Sequence, residues 1–244
     1  MNKRVLVPNF VTVLNLLLGF LAILMATKGN YVTGSWFLII AAVLDFLDGK
    51  IARATEGSTP FGLQFDSLAD VVSFGVAPSF LIYSSQLNET GPFGVIISFL
   101  PLLAGAIRLA RYNVAKPVRR KDHFEGMPIP SNAALICSYI LFSMHLWGDL
   151  RFRGVTALIL IASAVLMVST IEFDAMPRFS FRLGRRNTVV MFLVVAAIAL
   201  IGIFKEKAIF PLMAGYVLTQ VGRAFWQHFH FHEDEEESLA DALR

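Results

Sequence analysis

Two short runs of the chain hold carboxylates among apolar residues. In AAVLDFLDGKIAR, Asp45 and Asp48 stand at i, i+3, which places both on one helical face. In FGLQFDSLAD, Asp66 and Asp70 stand at i, i+4 and again share a face, with Gly62 one turn earlier. Four carboxylates at the ends of two neighbouring apolar helices repel one another, and each one that is desolvated and unpaired is costly. Oxygen-only ligand sets suit hard divalent cations such as Mg²⁺, Mn²⁺ or Ca²⁺. Two such ions about 3.5–4 Å apart form a clamp for displacement at phosphorus. Gly49 and Gly62 lack a Cβ and so let a ligand approach the backbone, Ala52 extends that small surface, and Arg53 offers a fork suited to phosphate oxygens. Solvated interfacial acids would explain the charges without the spacing. A cation-conducting acidic ring would explain the acids but neither the glycines nor Arg53.

The elements that carry these residues are apolar helices. Of 244 residues, 56% are hydrophobic and only 16% charged, against roughly 45–50% and about 25% in soluble chains. The mean hydropathy is +0.63. Charge-free stretches cover 5–27, 29–44, 71–88, 90–107, 126–148, 154–171, 187–204 and 208–222. Most of them reach the ~18 residues that a membrane-crossing helix needs. The expected fold is an all-α integral membrane protein, a polytopic bundle of about eight transmembrane helices. A soluble core of this size could not hide them. The single cysteine, Cys137, forms no intrachain disulfide. MNKR before an apolar run lacks a small-residue cleavage site and reads as the lead-in to a retained first helix.

With the N-terminus inside, 16 of the 21 Lys and Arg fall on the inner side of the alternating spans. The positive-inside rule then predicts a multi-pass protein of the cell (plasma) membrane with both termini and the active site cytoplasmic. The longer polar connections, 53–65, 111–130 and 172–186, are all on that side. The acidic end HEDEEESLADALR reads as a solvated, disordered tail.

Together the first residues read Asp45-x-x-Asp48-Gly49-x-x-Ala52-Arg53, then eight residues, then Gly62-x-x-x-Asp66-x-x-x-Asp70. This pattern resembles the signature of the CDP-alcohol phosphotransferase family, with every defining position present. The resemblance extends over at least 8–135, with Pro8-Asn9, Thr12 and Gly19 in the first span. It implies transfer of a substituted phosphate from a CDP-linked donor to an alcohol, with release of CMP, by a homodimer with a six-helix core. It also implies site roles. Asp45, Asp48, Asp66 and Asp70 would be ligands of two divalent ions, Mg²⁺ or Mn²⁺, and Asp70 the general base. Asp48, Gly49, Ala52, Arg53, Gly62 and Asp66 would hold the CDP-diacylglycerol donor. The chain would divide into a catalytic membrane core at 1–172, an additional two-helix segment at 173–230 and the acidic tail at 231–244. No nucleic-acid partner is expected.

A second stretch, Arg108-Leu109-Ala110-Arg111-Tyr112-Asn113 followed by Phe124-Glu125-Gly126-Met127-Pro128-Ile129-Pro130, resembles the acceptor side of the type II phosphatidylserine synthase subgroup, which uses L-serine. Arg108 and Arg111 share a face and are candidates for a carboxylate or lipid phosphate, as well as for plain positive-inside anchoring. The run 126–130 is expected to be rigid and non-helical, with Ser131 and Asn132 as cap-type residues that touch a polar acceptor. Phosphatidylglycerophosphate or phosphatidylinositol-phosphate synthesis is the alternative within the family, kept open by the basic run at 116–121. A divalent-cation transporter is the alternative outside it, although the other spans lack acids at mid-depth. His228, His230 and His232 read as an interfacial helix end, and Glu172 and Asp174 as local charge partners of Arg178 and Arg182.

Overall fold

The computed structural model describes residues 3–54, 59–114, 123–174 and 199–242, and side chains at 10–46, 59–114, 125–171, 173 and 199–226. Helix α1 spans Lys3–Thr27 and α2 Tyr31–Ala54. A single continuous rod follows, made of α3 (Pro60–Asp70), a π-helical turn (Val71–Val76) and α4 (Ala77–Ser85). A 3₁₀ turn (Leu87–Thr90) leads to α5 (Pro92–Val114), then β1 (His123–Glu125), α6 (Ile129–Trp147), α7 (Arg153–Val168) and β2 (Glu172–Asp174). The chain ends in α8, described over 199–204, and α9 (Glu206–Ala242).

The chain is an all-α membrane protein, and the exception among the described residues is a short antiparallel ribbon pairing Phe124 with Phe173. Among the described residues, four helical stretches are long and apolar enough to cross a bilayer: Phe10–Thr27, Pro60–Ser85, Pro92–Val114 and Ile129–Trp147. Tyr31–Phe46 and Arg153–Val168 are shorter apolar helices. The stretch 187–204 lies outside the described residues except for 199–204, and 208–222 falls within α9.

Two boundaries bear on the site and on the tail. The third span starts at Pro60, at the FGLQFDSLAD run and well before the charge-free stretch at 71, so Asp66 and Asp70 lie inside a membrane-length helix. Thr59 caps its start by accepting from the Gly62 N–H at 3.0 Å, with Pro60 in the first turn. Carboxylates that face protein rather than lipid need not end a helix. The acidic tail is not irregular: α9 runs on through Ala242. At 1.5 Å per residue such a helix outruns the ~30 Å hydrocarbon layer, so its acidic end projects beyond the apolar part of the bundle.

Tight packing comes from small residues. Buried positions on α1 recur at Thr12, Asn15, Gly19, Ala22 and Ala26, whereas Phe10, Val13, Leu17, Phe20 and Leu24 are exposed. This spacing gives one small, weakly polar face for neighbouring helices and one bulky apolar face for lipid.

Candidate functional site

The π turn in the third rod has an identifiable cause. Pro78 has no N–H, and its ring would strike the carbonyl four residues back in a regular helix. One extra residue is accommodated just before it, so that the Ala77 N–H reaches back to the Val72 carbonyl. The turn packs closely on α1. A Cβ added at Gly19 would lie 2.5 Å from Ser73 Oγ and 2.7 Å from Ser73 Cα. Ser73 Oγ donates to the Asn15 carbonyl at 3.0 Å. One turn inward, Asn15 Nδ2 donates to Asp70 Oδ1 at 3.4 Å. α1 therefore fixes the height and orientation of Asp70.

Asp70 is buried, with 7% of its surface exposed, and it faces Asp66 on its own helix and Asp45 on α2. One carboxylate oxygen from each of Asp45, Asp66 and Asp70 lies within 4.8 Å of the others. Three carboxylates converging from two helices are the chemistry of a hard-cation site, and this donor set fits a divalent metal. Like charges this close are tolerated where a cation or proton offsets them. Gly62 lies in the first turn of α3, one turn before Asp66. The side chains of Asp48, Ala52 and Arg53 and the surroundings of Gly49 lie outside the described residues, although the backbone of α2 continues through Ala54. The basic run 116–121, Arg178 and Arg182, and the side chains of His228, His230, His232, Glu172 and Asp174 also lie outside them.

α5 brings the candidate acceptor arginines to different places. The guanidinium of Arg108 is partly buried, interacts electrostatically with Asp70, Tyr112 and Arg111, and has no partner for Nε among the described residues. Arg111 turns to the end of α7, donating from Nη1 to the Val168 carbonyl at 3.0 Å. Asn113 Nδ2 donates to Ser67 Oγ at 3.1 Å and ties α5 to α3 beside the triad.

The 126–130 run is only partly non-helical. Gly126, at φ +74°, closes β1 against α7 through its N–H to the Ile171 carbonyl at 2.9 Å, and the Met127 N–H reaches the Leu166 carbonyl at 3.0 Å. Helix α6 then begins at Ile129 with Pro128 at its cap position. Ser131 and Asn132 are therefore not caps but lie inside the first turn, because Pro130 needs no N–H partner there. Asn132 is fully buried, and neither Nδ2 nor Oδ1 has a partner among the described residues. Ile129 fills the space left by two glycines: a Cβ at Gly105 would come within 2.4 Å of its Cδ1, and one at Gly75 within 3.9 Å.

Asn15 and Ser73 are the residues that motif spacing did not single out. The signal for Asn15 is the buried register of α1, in which it recurs with Thr12 and Gly19 on one face.

Comparison with known proteins agrees with this geometry. Residues 5–171 match the family model described as CDP-alcohol phosphatidyltransferase. The chain is 33% identical over 225 residues to a CDP-diacylglycerol–serine O-phosphatidyltransferase of Helicobacter pylori, covering 91% of this chain and 92% of the relative. It is 36% identical over 168 residues to an archaetidylserine synthase of Methanothermobacter thermautotrophicus, 68% of each chain. A CDP-diacylglycerol–serine O-phosphatidyltransferase of Methanocaldococcus jannaschii is 32% identical over 204 residues, 83% of this chain and 87% of the relative.

Proposed function

From the premise that the chain belongs to the CDP-alcohol phosphatidyltransferase family, we propose that it transfers the phosphatidyl group of CDP-diacylglycerol to the hydroxyl of L-serine, forming phosphatidylserine and CMP. The observation that carries this reading is the convergence of Asp45, Asp66 and Asp70 within 4.8 Å, with the Arg108 charge close enough to act on Asp70. The acceptor follows the relatives named for serine transfer.

A bound divalent cation, Mg²⁺ or Mn²⁺, supplies charge neutralisation of the diphosphate and of the departing CMP. Asp45, Asp48 and Asp66 would hold it from two helices, Asp70 would add a ligand oxygen, and the set would suit two ions. Gly49, Ala52 and Gly62 leave room for the nucleotide, and Arg53 pairs with its phosphates. Asp70 accepts the hydroxyl proton of serine as that oxygen attacks the phosphorus bearing the diacylglycerol group. The bond from phosphorus to the CMP oxygen breaks in the same displacement, and no side chain forms an intermediate. Arg108 pairs with the serine carboxylate, Ser131 and Asn132 complete the acceptor side, and Arg111 would join them only by leaving the Val168 carbonyl. The catalytic core is 1–172, with 173–230 an added two-helix segment and 231–244 an acidic extension. The protein works as a homodimer in the plasma membrane with both termini and the site facing the cytoplasm.

The test is CMP release from purified protein with CDP-diacylglycerol, divalent metal and one of four acceptors: serine, glycerol-3-phosphate, inositol or inositol phosphate. Release with serine alone is expected. Release with glycerol-3-phosphate and not serine would move the protein to a different acceptor class.

A further inference from the structure

The Asn15 side chain is fully buried, and its Nδ2 donates to Asp70 Oδ1. In that contact the amide nitrogen is the atom turned to Asp70, which leaves the amide oxygen as the second polar atom of the same side chain. That oxygen, Oδ1, has no donor among the described residues. Relaxation of α1 cannot readily supply one, because the Asn15 carbonyl is held by Ser73 Oγ and Gly19 leaves no gap to Ser73. A fixed, desolvated acceptor beside the base is a standing cost that a ligand donor would remove.

We propose that Asn15 is a specificity-determining residue whose Oδ1 receives the ammonium group of an amino-alcohol acceptor while its Nδ2 orients Asp70. The inference rests on the serine reading above and extends it to the group that distinguishes serine from other alcohols. In serine the hydroxyl and the ammonium sit on adjacent carbons. A hydroxyl presented to Asp70 therefore brings the ammonium to the next acceptor on the same side, and Asn15 carries that acceptor in the same side chain. The third substituent, the carboxylate, is left for Arg108, whose Nε is also without a partner among the described residues. The ammonium is bound and stays protonated, and only the hydroxyl proton moves, to Asp70. Glycerol-3-phosphate and inositol offer no cation to this oxygen.

The experiment compares KM for L-serine with the inhibition constant of 3-hydroxypropanoate, which keeps the hydroxyl and carboxylate but lacks the amine. Wild type, Asn15→Leu and Asn15→Asp are assayed with CDP-diacylglycerol as donor, and donor binding checks the fold of each variant. In Asn15→Leu the serine KM should rise roughly tenfold or more, as for loss of a charge-assisted hydrogen bond, while the inhibition constant of 3-hydroxypropanoate stays within about threefold. Asn15→Asp keeps an acceptor oxygen but no donor for Asp70, so its serine KM should hold while turnover falls. A purely structural role would shift both constants together, and that result, or no change in either, overturns the proposal. If Asn15→Leu has no turnover, Asn15→Asp decides: a serine KM that rises along with the loss of turnover overturns it. A wild-type protein that does not use serine would instead overturn the functional reading, which separates the two failures.

Discussion

Replacing Gly19 with alanine tests whether α1 sets the position of Asp70, the proposed base. The new Cβ would stand 2.7 Å from the Ser73 backbone at Cα, where ordinary contact begins at 3.4 Å, so the two helices must part by about 0.7 Å. Ser73 Oγ can rotate away, but Cα cannot. The Asn15–Asp70 contact, already 3.4 Å long, would then open beyond hydrogen-bond length. Overpacking of this kind costs about 1–3 kcal/mol, offset by up to ~1 kcal/mol from replacing a helical glycine with alanine. Stability should therefore fall only modestly. Catalysis is more sensitive, because a misplacement on the order of 1 Å costs about 10²-fold. The assay is turnover with CDP-diacylglycerol and serine alongside the thermal unfolding midpoint in detergent. Gly154→Ala serves as control, because a Cβ there meets nothing within 4 Å. Gly19→Ala should lose at least about tenfold in turnover and Gly154→Ala should lose none. Turnover of Gly19→Ala within twofold of wild type would refute the idea that the α1 approach positions Asp70.

Asp70→Asn should depress turnover by about 10²–10⁴-fold with little change in donor affinity, whereas Asp45→Asn should weaken donor and metal binding together; parallel titrations at saturating metal separate the two. A chelator should abolish CMP release, and Mg²⁺ or Mn²⁺ added back should restore it, whereas activity that survives chelation would remove the triad from the chemistry. Gly126→Ala forces a non-glycine residue to φ +74° and sets a Cβ 2.4 Å from the Met167 carbonyl oxygen, so it should destabilise the junction of ribbon and α7 by at least ~1–2 kcal/mol, read as a lower unfolding midpoint.

The carboxylate cluster was legible in the sequence because ionisable residues inside apolar runs are expensive and their helical spacing is easily read. Asp66 and Asp70 share a face as their i, i+4 spacing suggested and meet Asp45 there, while the Asp48 side chain lies outside the described residues. Their supports were less legible. Asn15 is an uncharged residue in an apolar helix, and its role depends on which residues of the third rod face it, a tertiary fact. The π turn follows from Pro78, yet a proline alone does not say whether a helix kinks, ends or absorbs an extra residue. The third span begins at Pro60, close to the FGLQFDSLAD run that the carboxylate spacing marks, and it carries Asp66 and Asp70 because they face protein. The ribbon of His123–Glu125 with Glu172–Asp174 is too short to show alternation. Ser131 and Asn132 are cap residues by type, but Pro130 lets the helix begin at Ile129 with Pro128 as its cap, three residues before Ser131.

The most direct measurement is the identity of the lipid that purified protein makes from CDP-diacylglycerol and isotopically labelled L-serine with divalent metal, read by mass spectrometry for wild type and Asp66→Asn. The account predicts labelled phosphatidylserine in equal amount to CMP from the wild type, and neither product from Asp66→Asn although the variant remains folded. CMP released without label in the lipid, or labelled lipid formed equally by Asp66→Asn, would contradict it.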